Sequence, residues 1–438
     1  MKKKLIAIVL ALLMVAALVL TACNNDSGGQ ASSPPPGGND GGGTSQEVDQ
    51  SKETILIGAC RPLSGIFQLF EDSVWGPMYK MWVAEVNAKG GLYIEEYGKR
   101  MPIELLVYDE ESSMDNVVRL TERLIVEDKV DFLFATNSTS FLQAQAQITN
   151  SHGYLLFGAE GGSAETSSQY EDYPLFFPTL NHSSTQIPAL TEVFKEMGIT
   201  TAYVTYIDDL HGLEYRNAAI EHFTAAGITI VNNSGNGTGF PVEQADFTTI
   251  INDARSTGAD AFCQFAYPDN NFPFIMQAMA MDYNPKAMIF GPSVNMDAFP
   301  LGVLEGNYAL AEGVMGFGAW NTVNNPGAQE YVELFKKHWP EVGIDWWGHL
   351  IYYAGLQVFE QAVERAGTLD HQKIAEVYKA ASKDNPFETF MGPVWFVNNS
   401  FAPECFPGNV GQWQDGVFQV IDATDRRTAA PIEKPNWP

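Results

Sequence analysis

The stretch TILIGACRPLSGIFQLFEDSVWGPMYKMWVAEVNAKGG, residues Thr54–Gly91, decides the fold. Its first part, Ile55-Leu56-Ile57-Gly58-Ala59, is a short apolar run of the kind that forms a strand buried on both faces. A polar and aromatic loop follows, Arg61–Ser73. Trp75, Met78, Tyr79, Trp82, Val83 and Val86 then recur at helical spacing and make one continuous face. Asp72 or Ser73 can cap this helix, Pro77 suits its first turn, and Gly90-Gly91 can end it. A buried strand feeding a helix through a long loop opens an α/β fold with a parallel sheet. Ligands of such folds bind beyond the carboxyl ends of the strands, which makes the 61–73 loop the first candidate site.

The same unit repeats along the chain. Strands are expected at 103–108, 130–135 and 154–157, with helices at 117–125 and 141–150 between them. Phe176-Phe177-Pro178-Thr179 reads as a short crossing strand. The rhythm then restarts with a helix at 187–197 and strands at 202–206, 228–231, 261–265 and 287–290. Asn232–Gly239 reads as a surface loop, and helices are expected up to about Ala226, at 244–257 and at 271–282. Beyond Gly291, helical stripes dominate 328–338, 346–366 and 371–381, and short strands follow at 392–397 and 417–421. Two α/β halves, each with its own parallel sheet, account for this order, and 438 residues are too many for one core. The expected division is 53–178 plus 300–400 for lobe 1, 180–298 plus 410–423 for lobe 2, and a tail at 424–438.

The first fifty residues are different. Lys2-Lys3-Lys4 precede an apolar run, Leu5–Leu20, and then Leu20-Thr21-Ala22-Cys23, the architecture of an export signal. The run is also close to the minimum length of a membrane span. Leu-Thr-Ala-Cys resembles the bacterial lipobox, which implies a signal peptide at 1–22, cleavage before Cys23 and a lipid on its sulfur. Residues 23–52, rich in Gly, Ser, Pro and Asn, read as a flexible tether. The net charge of −28 grows more negative once the three N-terminal lysines are lost, which argues against nucleic-acid binding. Cys60, Cys263 and Cys405 match no metal spacing. Cys60 and Cys263 read as small buried hydrophobes, with one disulfide left open.

Taken together, Ile57–Gly65, the helix end Asn87-Ala88-Lys89-Gly90-Gly91, Tyr206–Gly212, Asp246-Phe247, Gly291-Pro292, Glu312-Gly313 and Gly392–Phe396 resemble the type I periplasmic binding proteins. The likeness is to the leucine/isoleucine/valine-binding branch that serves ABC importers, and it spans roughly residues 53–421. It implies two Rossmann-like lobes with parallel central sheets and a three-crossover hinge, with crossings placed near 179–185, 292–310 and 400–412. It further implies a small-molecule solute clamped between closing lobes, ABC permease subunits as partners, a lipid anchor in the membrane, a monomer and no cofactor.

The resemblance also assigns site residues. The turn Thr136–Ser140 is expected to hold a carboxylate at a helix N-terminus, with Ser138 and above all Thr139 supplying hydroxyls; a plain N-cap is the alternative. The Gly158–Ser163 loop adds Ala159, Glu160 and Gly162, although Glu160 would repel a carboxylate unless it faces solvent or a cationic group. In the second half, Asp209 and His211 fall on the loop Asp208–Gly212, with His211 where the family commonly has tyrosine. Tyr267, Asp269 and Asn270 close a strand. Asp269 stands where the family places a carboxylate for the ligand's ammonium, although it also suits a helix N-cap, and Asn270 would suit a neutral amide. Phe247 falls where an aromatic packs on the ligand. Phe67 and Phe70, in an unusually apolar loop tip, line the cleft or pack on their own lobe. Trp320, Trp346 and Trp347, on helical stripes, read as core.

No Gly-x-Ser-x-Gly elbow, phosphate loop or His-Glu-x-x-His occurs, and the seven histidines are scattered. Enzymatic activity is therefore not expected. Two binding roles remain: transport of a small polar or zwitterionic solute such as an amino acid or amide, or ligand sensing for a signalling partner. The sequence shows no transmembrane helix, kinase or cyclase region after the folded body, which favours transport.

Overall fold

Strand β1, Ile55–Arg61, is an inner strand of a five-stranded parallel sheet, and all but one of its residues are buried. The other strands are β2 (Ile103–Asp109), β3 (Phe132–Phe134), β4 (Leu156–Ala159) and β5 (Phe176–Pro178), in the order β2-β1-β3-β4-β5. The computed structural model describes residues 49–159, 168–325, 327–422 and 425–437. Val48–Pro438 form one compact unit.

A second sheet repeats the pattern with β6 (Thr201–Ile207), β7 (Thr229–Ile230), β8 (Thr238–Phe240), β9 (Ala261–Phe265), β10 (Ala287–Phe290) and β11 (Val314–Phe317). All of these are parallel. β12 (Val410–Gln414) and β13 (Val417–Val420) extend it antiparallel beyond β11. In both sheets the order reverses beside the first strand: β1 lies between β2 and β3, and β6 between β8 and β9. Such reversals leave a crevice outside the carboxyl ends, where the neighbouring loops diverge.

The helices that matter for the site are α1 (Gly76–Ala88), α2 (Met114–Val126), α3 (Thr139–His152), α4 (Ser183–Glu196) and α5 (Leu210–Ala225). They are followed by α6 (Thr248–Thr257), α7 (Pro268–Ala280), α8 (Ala328–His338), α9 (Gly348–Ala366) and α10 (His371–Ala380). α9 packs on β4 and α1 and so returns the third section of the chain to the first lobe.

Several expectations need correcting. Neither Asp72 nor Ser73 caps α1, because the chain is already helical from Gln68 and runs through a π-helical turn, Glu71–Trp75, into Gly76. The end of α1 is as read: Gly91 has φ +97, and a Cβ there would lie 2.0 Å from the carbonyl oxygen of Met101. That contact belongs to a hairpin, 92–94 with 99–101, which the alternation of so short a segment does not announce. The tract read as a surface loop, 232–239, contributes β8. The second crossing lies not at 292–310 but after β11, between Phe317 and Ala328, because β11 stays with the second sheet.

The three crossings are tied to one another. Asn181 on the first donates to Asn409 Oδ1 on the third at 3.0 Å, and Gly318 N on the second donates to Asn409 O at 2.7 Å. Trp347 Nε1 donates to Asn181 Oδ1 at 2.6 Å, which anchors the start of α9 to the same point. Cys60, Cys263 and Cys405 are buried free thiols. Among the described residues no helix is long and apolar enough to cross a membrane, and no group of three His, Cys, Asp or Glu residues is placed to hold a metal.

Candidate functional site

The loops that leave β1 and β3 at one reversal face the loops that leave β6 and β9 at the other. Between them lies a cavity of about 40 Å³. From the first lobe Phe67, Phe70 and Trp75 line it, as do Asn137, Ser138 and Thr139 from the turn into α3. Tyr215, Tyr267 and Pro292 face them from the second lobe. Leu180, Asn181, Asp345, Trp347 and Tyr352 complete the wall from the crossings and the start of α9. Every aromatic side chain in this wall is buried.

The loop after β1 holds its shape through side chains rather than a regular turn. Ser64 Oγ donates to Asp109 Oδ2 at 2.8 Å, and Phe67 N donates to Ser112 Oγ at 3.1 Å. Gly65, with φ +87, lies so close to Ser112 that a Cβ would fall 2.6 Å from its hydroxyl. The result places Phe67 edge-on to Tyr267 of the other lobe, ring centroids 5.3 Å apart. Beneath this loop Arg61, almost fully buried, donates to Glu71 Oε2 at 3.0 Å and to the carbonyl of Ala135 at 2.6 Å. Tyr79 donates to the other oxygen of Glu71 at 2.7 Å, and the Arg61 guanidinium stacks 4.8 Å from the Trp75 ring.

Ser138 is the N-cap of α3 and has φ +57, rare for a residue with a side chain. Strained backbone of this kind collects at binding sites. Ser138 and Thr139 bring the start of α3 into the cavity wall, and a helix N-terminus with neighbouring hydroxyls suits an anion. Behind them Glu110, wholly buried, accepts from Thr136 Oγ1 at 2.6 Å and from Asn137 Nδ2 at 2.7 Å. Burial pushes its carboxyl up to about 7.

On the second lobe Asp209 caps α5 through the N–H of Gly212, 2.9 Å, and accepts from the Tyr267 hydroxyl at 3.0 Å. His211 stacks on the Tyr267 ring from behind, 5.1 Å between centroids, and burial keeps it neutral by lowering its pKa. Asp345, at the crossings, accepts from Asn295 Nδ2 at 2.5 Å and from Trp347 N at 2.9 Å, and burial raises its carboxyl to about 6.

Phe67, Phe70, Ser138, Thr139 and Tyr267 therefore come together, with Asp209 and His211 as the support of Tyr267. The other assigned residues do not join them. Asp269 is exposed near the start of α7 and does not line the cavity. Asn270 turns its amide onto the carbonyls of Val242 and Gln244, at 2.9 and 3.1 Å, and so holds the chain ahead of α6. Phe247 is wholly buried between Phe240 and Phe274 in the second lobe's core. Ala159 ends β4, while Glu160 and Gly162 lie outside the described residues. Trp75, Trp347, Tyr352, Tyr215 and Asp345 were not anticipated. Trp347, read as core, is a cavity wall, and its helical spacing looks the same in either role.

The family model of the periplasmic binding proteins matches residues 54–416. The chain is 26% identical over 392 residues to Leu/Ile/Val-binding protein homolog 8 of Brucella abortus (strain 2308), which covers 84% of this chain and 90% of that one. Its fold matches, with a TM-score of 0.70 and 18% identity, a solute binding protein of an ABC transporter from Rhodopseudomonas palustris BisB5 in complex with 3,4-dihydroxy benzoic acid, covering 87% of this chain and 99% of that one. It also matches, with a TM-score of 0.68 and 14% identity, the branched-chain amino acid transporter substrate binding protein LivJ from Streptococcus pneumoniae in complex with isoleucine, covering 87% and 100%. With the match running through both lobes, the chain belongs to the periplasmic binding protein family, in its type I, Leu/Ile/Val-binding-like branch, and is a solute-binding protein rather than an enzyme.

Proposed function

We propose that this protein is the substrate-binding lipoprotein of an ABC importer, held on the extracytoplasmic face of the membrane through lipid on Cys23. Its solute is a small carboxylic acid with an apolar or aromatic body, an amino acid or a related acid. The observation that carries this reading is the N-terminus of α3 opening, with Ser138 and Thr139, onto a buried cavity walled by rings from both lobes. The helix end and the hydroxyls suit the carboxylate, and the rings suit the body. The relatives' ligands, an aliphatic amino acid and an aromatic acid, span the same chemistry. Because the wall is buried, solute enters only when the lobes part, so binding selects the closed form that a permease would read.

Titration of the soluble body with a panel of small aliphatic and aromatic carboxylates, followed by thermal unfolding and small-angle scattering, tests this. A true solute raises the melting temperature with dose and favours the compact form. Stabilisation only by neutral or cationic compounds would overturn the carboxylate reading. For the anchor, Cys23→Ser is expected to leave an uncleaved precursor or a soluble protein. Normal processing with retention in the membrane fraction would count against lipidation.

A further inference from the structure

The turn between β3 and α3 holds a side chain whose direction is set from below. Asn137 is wholly buried, lines the cavity, and donates through Nδ2 to Glu110 Oε1 at 2.7 Å. Thr136 Oγ1 occupies the other carboxylate oxygen at 2.6 Å. An ionised carboxylate only accepts, so the amide must turn its NH₂ toward Glu110 and its carbonyl oxygen away. That oxygen, Asn137 Oδ1, is buried and has no hydrogen-bond partner among the described residues. Trp75 Nε1, in the same wall and nearly fully buried, is likewise without a partner among the described residues. Buried polar groups are normally paired, and two orphans in one cavity, an acceptor and a donor, describe the missing molecule.

We propose that Asn137 selects the solute by accepting a hydrogen bond from a hydroxyl or ammonium group on it, and that Glu110 is the positioning residue that keeps the Asn137 carbonyl turned into the cavity. This rests on the reading of the cavity as a carboxylate-solute site. The contact with Glu110 polarises the amide and makes its oxygen a better acceptor. A solute lacking the donor leaves that oxygen buried and unpaired, and sites built in this way reject the analogue without the donor.

Glu110 also couples the choice to pH. Arg61 and Cys60 from β1, and Glu71 from the turn before α1, are the ionisable groups that face it, and burial sets its titration near neutrality. Once protonated, Glu110 can donate to Oδ1, the amide can turn round, and the cavity then meets a donor instead of an acceptor. Preference for donor-bearing solutes therefore strengthens as pH rises through neutrality.

The test is calorimetry on the whole folded body, as wild type, Glu110→Gln and Asn137→Ala, with two matched pairs of acids. Benzoate against 3,4-dihydroxybenzoate reports a hydroxyl donor, and 4-methylpentanoate against leucine reports an ammonium. In wild type at about pH 8, the donor-bearing member of one pair is expected to bind at least about tenfold more tightly. The ratio should fall to within about threefold in both variants, and in wild type, but not Glu110→Gln, it should shrink at about pH 6. The benzoate pair decides the pH arm, since any effect of Asp345 acts on both of its members alike. Glu110→Gln keeps the shape and removes a buried charge, so it carries the test if Asn137→Ala fails to fold. A donor preference that survives in the variants overturns the proposal. Equal binding of paired acids by wild type overturns it while leaving the carboxylate site standing, and failure of all four acids to bind removes that site and the proposal together.

Discussion

Glu110 shows how far one residue's surroundings can change its chemistry. Wholly buried, it is held from the ordinary 4.5 up to about 7, with burial outweighing its two hydrogen bonds and the nearby Arg61. An acid whose folded pKa is raised keeps its proton more tightly in the native state. Its cost to stability is therefore absent below about 4.5, builds as pH rises to about 7, and is constant above. The shift corresponds to on the order of 3 kcal/mol. Urea unfolding of wild type and Glu110→Gln across this range should show the stability difference between them changing by about that amount; parallel curves would refute it. Asp269 makes the opposite case. Exposed on α7, it is expected to tolerate Asn with solute affinity within about threefold, under 1 kcal/mol, and a hundredfold loss would restore it to the site. Ser138 and Thr139 were legible because a strand–turn–helix step announces itself in hydroxyl residues. Trp75 and Trp347 were not, because a wall between two lobes is as apolar and as helically spaced as a core.

At the level of elements, the unit that positions the site is the unbroken helical run from Gln68 through α1. Its start was misread because Asp72 and Ser73 have the chemistry of caps, whereas the chain is already helical at both, through a turn built around Glu71. The reason for that turn is electrostatic. Glu71 faces inward, where it accepts from Arg61 at the end of β1 and from Tyr79 on α1, and neither charge reaches water. Removing one partner of such a pair leaves the other charge buried, which costs more than the pair itself contributes. Glu71→Ala is therefore expected to destabilise the first lobe by roughly 3–5 kcal/mol. Hydrogen exchange should localise the loss to residues 61–88. A change below about 1 kcal/mol, the range of surface pairs, would mean that water reaches Arg61. Two α/β halves, each with its own parallel sheet, were legible from the apolar rhythm alone, and the order reversal they share was not. The small hairpin at 92–101 was not, since three-residue strands carry too few alternations to read.

At the scale of the whole molecule, function depends on how firmly the two lobes hold each other without solute. The hinge side is secured by Asn181, Asn409 and Gly318, one from each crossing. The family resemblance put the second crossing at 292–310, ahead of β11, because β11 follows a long irregular stretch and its lobe is decided only by pairing with β10. Across the cleft α3 meets α5, and Phe67 sets its ring edge-on to Tyr267. This last contact is the most separable. Phe67 does not hydrogen-bond through its side chain, whereas Tyr267 is tied to Asp209 within its own lobe. Phe67→Ala therefore removes an interlobe apolar and aromatic contact and leaves the second lobe's site intact. Aromatic pairs of this geometry contribute about 0.5–1.5 kcal/mol beyond burial, and losing the ring's buried area adds roughly 1.5–3 kcal/mol. The part made with Tyr267 weighs on the closed form alone, whereas the edge-on contact of Phe67 with Phe141, ring centroids 5.6 Å apart, lies within the first lobe and is kept when the lobes part. The variant is expected to show a larger radius of gyration without solute and an affinity lower by roughly ten- to a hundredfold. Saturating solute should return the wild-type radius, because the closed geometry itself is unchanged. An unchanged radius combined with full affinity would show that closure is carried by the hinge and not by the rings that meet across the cleft.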